Sequence, residues 1–226
     1  MPSANSPATP GPVFYIGRAI LRPLLWLLFR PRVTGREWFP ATGPVLMVSN
    51  HQSMLDTVLL PSFAPRRVQF LAKASLFRGA IGGWFFRGIG AVPVDRGSAA
   101  AGQLALEAGR DVLAAGGVFT VFPEGSRSRD GRLYRGRGGA AWLALATGAT
   151  VVPVGIVGSN RKLRDPSTGR RQRVGIHFGP PLDLSDLAAL PAGRARRETT
   201  ERMMLAIQAL SGQQLAETFA EVDADA

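Results

Sequence analysis

The sequence predicts an α/β fold: a single domain with a mixed, mostly parallel central sheet flanked by helices, plus an N-terminal helical segment that docks on a membrane. Three observations lead there. Short apolar runs alternate with helix-patterned stretches along most of the chain. The 226 residues suffice for one sizeable domain and not for two comfortable ones. Between residues 33 and 212 there is no internal repeat and no linker-like break.

The first twelve residues, with Pro2, Pro7, Pro10 and Pro12 among small polar neighbours, read as a disordered leader. Residues 13–32 are different. VFYIGRAILRPLLWLLF is strongly apolar, but it is short for a bilayer crossing and is broken by Arg18, Arg22 and Pro23. It reads as an amphipathic, monotopic segment whose apolar face enters the headgroup boundary while its arginines reach phosphates. No small-residue cleavage site follows, so it is not a secretory peptide.

Strands are then expected at Pro44–Ser49, Val68–Ala72, Ala91–Val94, Val118–Phe122, Val151–Val157 and Arg173–Phe178, each an apolar run bounded by turn residues. Helices fall between them. One starts at Ser53 and runs to Leu60; one is capped by Ser98 and closed by Gly116-Gly117; one spans Gly139–Thr147 before Gly148; and one covers Arg194–Leu210. Residues 213–226 form an acidic tail.

Charge and composition narrow the chemistry. The net charge is +11, and only Lys73 and Lys162 are lysines, so arginine supplies the rest. Four acids lie beyond residue 216; the body before it sets 27 basic residues against 12 acids, a charge of +15. Such a surface attracts polyanions: nucleic acid, anionic headgroups or phosphorylated substrates. Nucleic acid is not expected, because the basic residues are not interleaved with exposed aromatics and no helix-turn-helix or zinc pattern is present. With no cysteine and two histidines, neither a disulfide framework nor a metal site is expected.

Asn50-His51-Gln52-Ser53-Met54-Leu55-Asp56 carries the strongest chemical signal. A histidine titrates near neutral pH and can take a proton from a hydroxyl; a carboxylate beside it fixes its tautomer and supports the imidazolium. Residues five apart on a regular helix sit about 140° from each other, so a dyad inside one helix would not meet. His51 must therefore precede the helix, with Asp56 in the first turn reaching back. The competing structural reading is a capping box, Ser53-x-x-Asp56, with an acid favoured by the helix dipole.

Further candidates follow other strands. Val94-Asp95-Arg96-Gly97 ends in a charged pair, and Arg96 can offer a planar fork of donors to a phosphate. Phe122-Pro123-Glu124-Gly125-Ser126-Arg127-Ser128-Arg129 has the composition of an anion cradle: Gly125 for close approach, arginines for charge, hydroxyls as donors. Glu124 is out of place there unless it holds an arginine or meets a ligand hydroxyl. His177, in an alternating run, reads as an ordinary strand residue.

Asn50-His51-x4-Asp56, then Gly90 to Arg96, then Phe122 to Ser128, then Val151-Val152-Pro153-Val154 resembles the four-block signature of the glycerolipid acyltransferases. The bacterial lysophosphatidic acid acyltransferases are the branch it looks most like, over roughly residues 35–180. The resemblance implies direct attack of an acceptor hydroxyl on a thioester carbonyl, with His51 as general base and Asp56 orienting it. No enzyme nucleophile is then needed. It also implies that Arg96, Gly97, Glu124, Gly125, Ser126 and Arg127 bind the acceptor's glycerol phosphate, with Asn50 and Lys73 among the substrate-binding residues. The acceptor would be lysophosphatidic acid, and the donor acyl-CoA or acyl carrier protein, with no other cofactor. An anionic membrane surface at the cytoplasmic face of the cell membrane would be the peripheral or monotopic location. Other lysophospholipids, glycerol 3-phosphate or a glycolipid remain open as acceptors; a non-enzymatic binder of anionic membrane or nucleic acid is the remote alternative.

Overall fold

The structure, a computed structural model, describes residues 12–79, 83, 84, 86, 88, 90–94, 99–161, 167 and 173–221. Seven strands form one sheet: β1 (Arg32–Thr34), β2 (Val45–Ser49), β3 (Val68–Lys73), β4 (Ala91–Val94), β5 (Val118–Val121), β6 (Thr150–Val157) and β7 (Gly175–Phe178). Their order is β1-β7-β6-β2-β5-β3-β4. All neighbouring pairs run parallel except β6 and β7, so β1 and β7 oppose the other five. This is the mixed, mostly parallel sheet expected. β2 and β6 lie inside the sheet with both faces covered, which is why they are nearly continuous apolar runs instead of alternating ones.

Five helices among the described residues cover the two faces: α1 (Pro12–Phe29), α2 (Asp56–Phe63), α3 (Ala99–Ala114), α4 (Gly139–Thr147) and α5 (Ala192–Ser211). On one side Leu25 of α1 and Leu59, Leu60 and Phe63 of α2 pack with Met47, Val154 and Ile176. On the other, Val112, Leu113, Leu143, Met203 and Ile207 pack with Leu46, Val48 and Phe119. Alternate residues of β2 therefore feed two cores, and Leu46, Met47 and Val48 are all fully buried.

Two elements depart from expectation. Arg32, assigned to the N-terminal segment, begins the edge strand β1, paired in register with Gly175 of β7; three residues are too few to show a period. Gly35 then turns with φ +74, and a Cβ there would stand on the Phe178 carbonyl oxygen. The helix expected from Ser53 begins only at Asp56. Asp56 Oδ2 accepts from the backbone N–H of Gln52 and Ser53, both at 2.8 Å, which holds residues 51–55 as a turn.

Helix α1 also differs in how its charges are used. Arg18 donates to the Ala64 carbonyl at 2.6 Å, and Arg22 lies over the Phe63 ring at 5.6 Å. Both face α2. The exposed arc is instead Tyr15, Ile16, Ile20, Leu24, Trp26 and Leu27. No helix among the described residues is long and apolar enough to cross a membrane.

Helix α5 sits so close to β6 that a Cβ on Gly155 would come within 2.5 Å of the Leu210 carbonyl carbon and 2.6 Å of its Cβ. Backbone cannot give way as a flexible side chain can. Gly155→Ala is expected to cost about 1–3 kcal/mol through overpacking, read as a lower urea midpoint with an unchanged slope; an unshifted midpoint would mean that α5 slides freely on the sheet.

Candidate active site

β2 and β5 are parallel neighbours, with Val48 opposite Val121. Carrying that register three residues further sets His51 against Glu124, so the two motif-bearing loops leave the same end of the sheet side by side. This is where open α/β sheets gather ligands. Lys73 ends β3 opposite Val94 of β4. Arg96 and Gly97, with Asp95, lie outside the described residues.

His51 Nδ1 is 3.0 Å from Asp56 Oδ2. The imidazole is 12% exposed and Asp56 is fully buried, so the pair is open to ligands only through the ring. A carboxylate at Nδ1 selects the tautomer that carries the proton there, which leaves the Nε2 lone pair for a substrate proton. The ring also stacks on Phe122, centroids 4.0 Å apart and planes 13° from parallel. Among the described residues Asp56 collects three hydrogen bonds on Oδ2, from Gln52, Ser53 and His51, while its buried Oδ1 has no partner. The dyad and the start of α2 are thus one arrangement: the acid orients the histidine and orders the turn between them. Ser53 is no N-cap, since its Oγ accepts from Leu55 N within that turn.

Glu124 is fully buried. Its Oε1 accepts from the His51 backbone N–H at 2.9 Å and its Oε2 from that of Tyr134 at 2.9 Å. Burial pushes its carboxyl up to about 7, against the pull of those two donors, with the charges of Asp56 and Asp130 adding to the rise. Ser128 N donates in turn to the His51 carbonyl at 2.7 Å, so the loop after β5 grips the histidine's backbone from both sides. Glu124, expected from sequence at the acceptor, has one oxygen on the His51 backbone and the other on that of Tyr134.

Asn50 is likewise sealed in. Its Oδ1 accepts from Ile156 N at 2.7 Å, and its Nδ2 donates to Ile156 O at 2.8 Å and to Gln213 Oε1 at 2.6 Å. Gly125 has φ +77, and what lies against it is the Arg137 side chain, 2.9 Å from where a Cβ would be. Ser126 is 7% exposed, and its Oγ has no partner among the described residues. Arg127, next on the loop, is half-buried. Asp130 closes the loop by accepting from Arg132 and from the Tyr134 hydroxyl, and those bonds hold its carboxyl well below the usual range.

Three contributors escape the motif reading. Tyr134 gives Glu124 its second donor; Arg137 packs on Gly125 and donates to the Glu124 carbonyl at 3.4 Å; Gln213 reaches Asn50 from 163 residues away. Only local spacing carries a sequence signal, and none of these lies within a block. Among the described residues no group of three or more His, Asp or Glu side chains could hold a metal.

The site thus pairs a histidine with a buried carboxylate at a strand mouth, beside the loop that carries Ser126 and Arg127. The profile of the Acyltransferase family matches residues 30–157, more than half of the chain. The chloroplastic 1-acyl-sn-glycerol-3-phosphate acyltransferase LPAT1 of Arabidopsis thaliana is 33% identical over 80% of this chain and 51% of its own length. The 1-acyl-sn-glycerol-3-phosphate acyltransferase of Bacillus subtilis is 28% identical over 84% of this chain and 92% of its own. The crystal structure of the 1-acyl-sn-glycerophosphate (LPA) acyltransferase PlsC from Thermotoga maritima superposes with a TM-score of 0.67 at 26% identity, covering 88% of this chain and 79% of that one. The chain belongs to the Acyltransferase family, in its glycerolipid, lysophosphatidic acid acyltransferase-like branch. It spans about half the length of the plant relatives that it matches.

Glu124 titrating near 7, against an ordinary 4.5, binds its proton more tightly in the fold than in the unfolded chain. The resulting stabilisation is complete below the unfolded value and is lost as pH rises through the folded one. The stability of the wild type minus that of Glu124→Gln is expected to fall by on the order of 3 kcal/mol between about pH 4 and about pH 8; urea titrations giving a pH-independent difference would show a carboxylate ionised throughout.

Proposed function

We propose that the protein transfers an acyl chain from acyl-CoA or acyl carrier protein to the free hydroxyl of lysophosphatidic acid, giving phosphatidic acid. The observation that carries this reading is the His51–Asp56 pair at 3.0 Å, opening beside the Glu124–Ser128 loop. The names of the relatives supply the acceptor class.

Nε2 of His51 takes the proton of the acceptor hydroxyl as its oxygen attacks the thioester carbonyl. A C–O bond forms, the tetrahedral centre collapses, the C–S bond breaks, and the thiolate takes the proton back from the imidazolium. Asp56 steadies that imidazolium without changing its own protonation. No acylated side chain is formed. Arg127 and the unpartnered Ser126 hydroxyl are the loop's donors to the acceptor phosphate, with Gly125, Lys73, Arg96 and Gly97 contributing to the same anion site.

His51→Ala should lower kcat by at least about 100-fold, the range general base catalysis supplies, with a thermal midpoint close to that of wild type. Near-normal turnover would remove His51 as the base. Crossing acyl-CoA and acyl carrier protein donors with lysophosphatidic acid, glycerol 3-phosphate and other lysolipids assigns donor and acceptor; preference for another acceptor would replace lysophosphatidic acid while keeping the chemistry.

Location on the cytoplasmic face of the membrane belongs to the same proposal. Both lysolipid and product partition into bilayers, and the exposed arc of α1 is a mainly apolar surface. Ile20→Glu with Leu27→Glu should abolish co-sedimentation with anionic vesicles while leaving the fold intact; undiminished co-sedimentation would rule out that arc as the docking face.

A further inference from the structure

We infer that Gln213, at the start of a C-terminal strap, is a positioning residue that sets the His51 base at its distance from the acceptor-binding loop. This rests on the proposed acyl transfer, but its geometry lies in a part of the chain, after residue 157, that the family match does not reach.

Helix α5 ends at Ser211, and Gly212 turns left-handed with φ +69 and donates to Gln208 O at 2.8 Å. The turn brings Gln213 under the end of β2. There its amide uses both ends: Oε1 accepts from Asn50 Nδ2 at 2.6 Å, and Nε2 donates to the Gly131 carbonyl at 2.8 Å. Asn50 is the residue before the base. Gly131 closes the loop that begins at Glu124. One amide thus ties the two sides of the site together, in a position 9% exposed.

The rest of the strap reinforces the tie. Leu133 N donates to Gln214 O at 2.8 Å, Ala216 N to Leu133 O at 2.8 Å, and Arg135 N to Thr218 O at 3.0 Å. Arg137 Nη2 reaches Ala220 O at 3.1 Å, and the Phe219 ring lies 5.2 Å from the Arg135 guanidinium and 5.6 Å from that of Arg137. Arg137 is the side chain seated on Gly125. The strap therefore fixes the loop at both ends: at Gly131 through Gln213, and at Glu124–Gly125 through Arg137.

Chemistry explains why the residue is glutamine. Glutamate keeps an acceptor for Asn50 but offers no donor to Gly131; asparagine is one methylene short; methionine fills the volume and makes neither bond. Loss of the bridge lets the loop shift against the base, which disturbs the acceptor and leaves the donor's contacts alone.

The test compares wild type, Gln213→Met and Gln213→Glu in the full chain, with steady-state kinetics and with amide hydrogen exchange in the absence of substrate. Gln213→Met, which loses both bonds, should raise the acceptor KM at least about tenfold, the effect of losing the buried hydrogen bond to Gly131 alone, with the donor KM within about twofold. Exchange at the Ser128 and Tyr134 amides should quicken by a similar factor. Gln213→Glu, which loses only the Gly131 bond, should reproduce both effects, and it serves alone if the methionine variant fails to fold. Donor and acceptor KM rising together, a lower thermal midpoint with neither KM changed, or unaltered exchange in the loop would each overturn the assignment. A wild type without acyl transfer to lysophosphatidic acid would instead count against the proposed function, and the exchange comparison would still decide the role of Gln213.

Discussion

The site depends on a buried carboxylate that touches no open surface. Glu124 holds the backbone N–H of His51 on one oxygen and that of Tyr134 on the other. Neighbouring parallel strands put their following loops side by side but do not fix the distance between them. That distance is set here by a side chain from one loop accepting from the backbone of the other. A carboxyl side chain suits the task because it sets one acceptor oxygen before each of two converging N–H groups. Buried and pushed up to about 7, Glu124 spends both oxygens on those backbone N–H groups.

The dyad has the same economy. Asp56 opens α2, orders the preceding turn through two backbone bonds and orients His51 through a third, all with one oxygen. A helical spacing could not do this. The five-residue interval works because the four residues between the partners form a turn whose first two N–H groups, of Gln52 and Ser53, point at the acid. Orienting the histidine and ordering the turn before α2 are two consequences of one conformation.

This division between local and distant contacts also explains what could be read in advance. Six of the seven strands were legible as apolar runs, and α4 agrees at both ends, because buried parallel strands and glycine stops leave local marks. His51 and Asp56 were legible because their contact spans five residues. Asn50, Glu124 and Gly125 were legible as members of blocks but not in what they do: their partners are Ile156 and Gln213, Tyr134, and Arg137, which lie between 10 and 163 residues away. The tail from residue 213 looked merely acidic, although Gln213 to Ala220 run along the loop at 131–137. Backbone pairing of that kind has no compositional signature.

Helix α1 shows the same limit in energetic terms. From sequence, its arginines interrupt an apolar run and belong at a polar boundary. In the fold, Arg18 and Arg22 turn toward α2, one bonded to a carbonyl and both lying over phenyl rings, while Tyr15, Ile16, Ile20, Leu24, Trp26 and Leu27 face outward. A helix on the surface of a water-exposed domain is ordinarily arranged the other way, apolar inward and charged outward. Reversing it leaves large side chains in contact with solvent, at about 25 cal/mol for each Å² that a covering surface would remove from water. Arginine can sit inward because its guanidinium is weakly hydrated and stacks on aromatic faces, so the charge is accommodated without an acid. The outward arc is then mainly apolar, with Arg30 over the Trp26 ring at its C-terminal end, and this is the property from which the proposed docking face draws its strength.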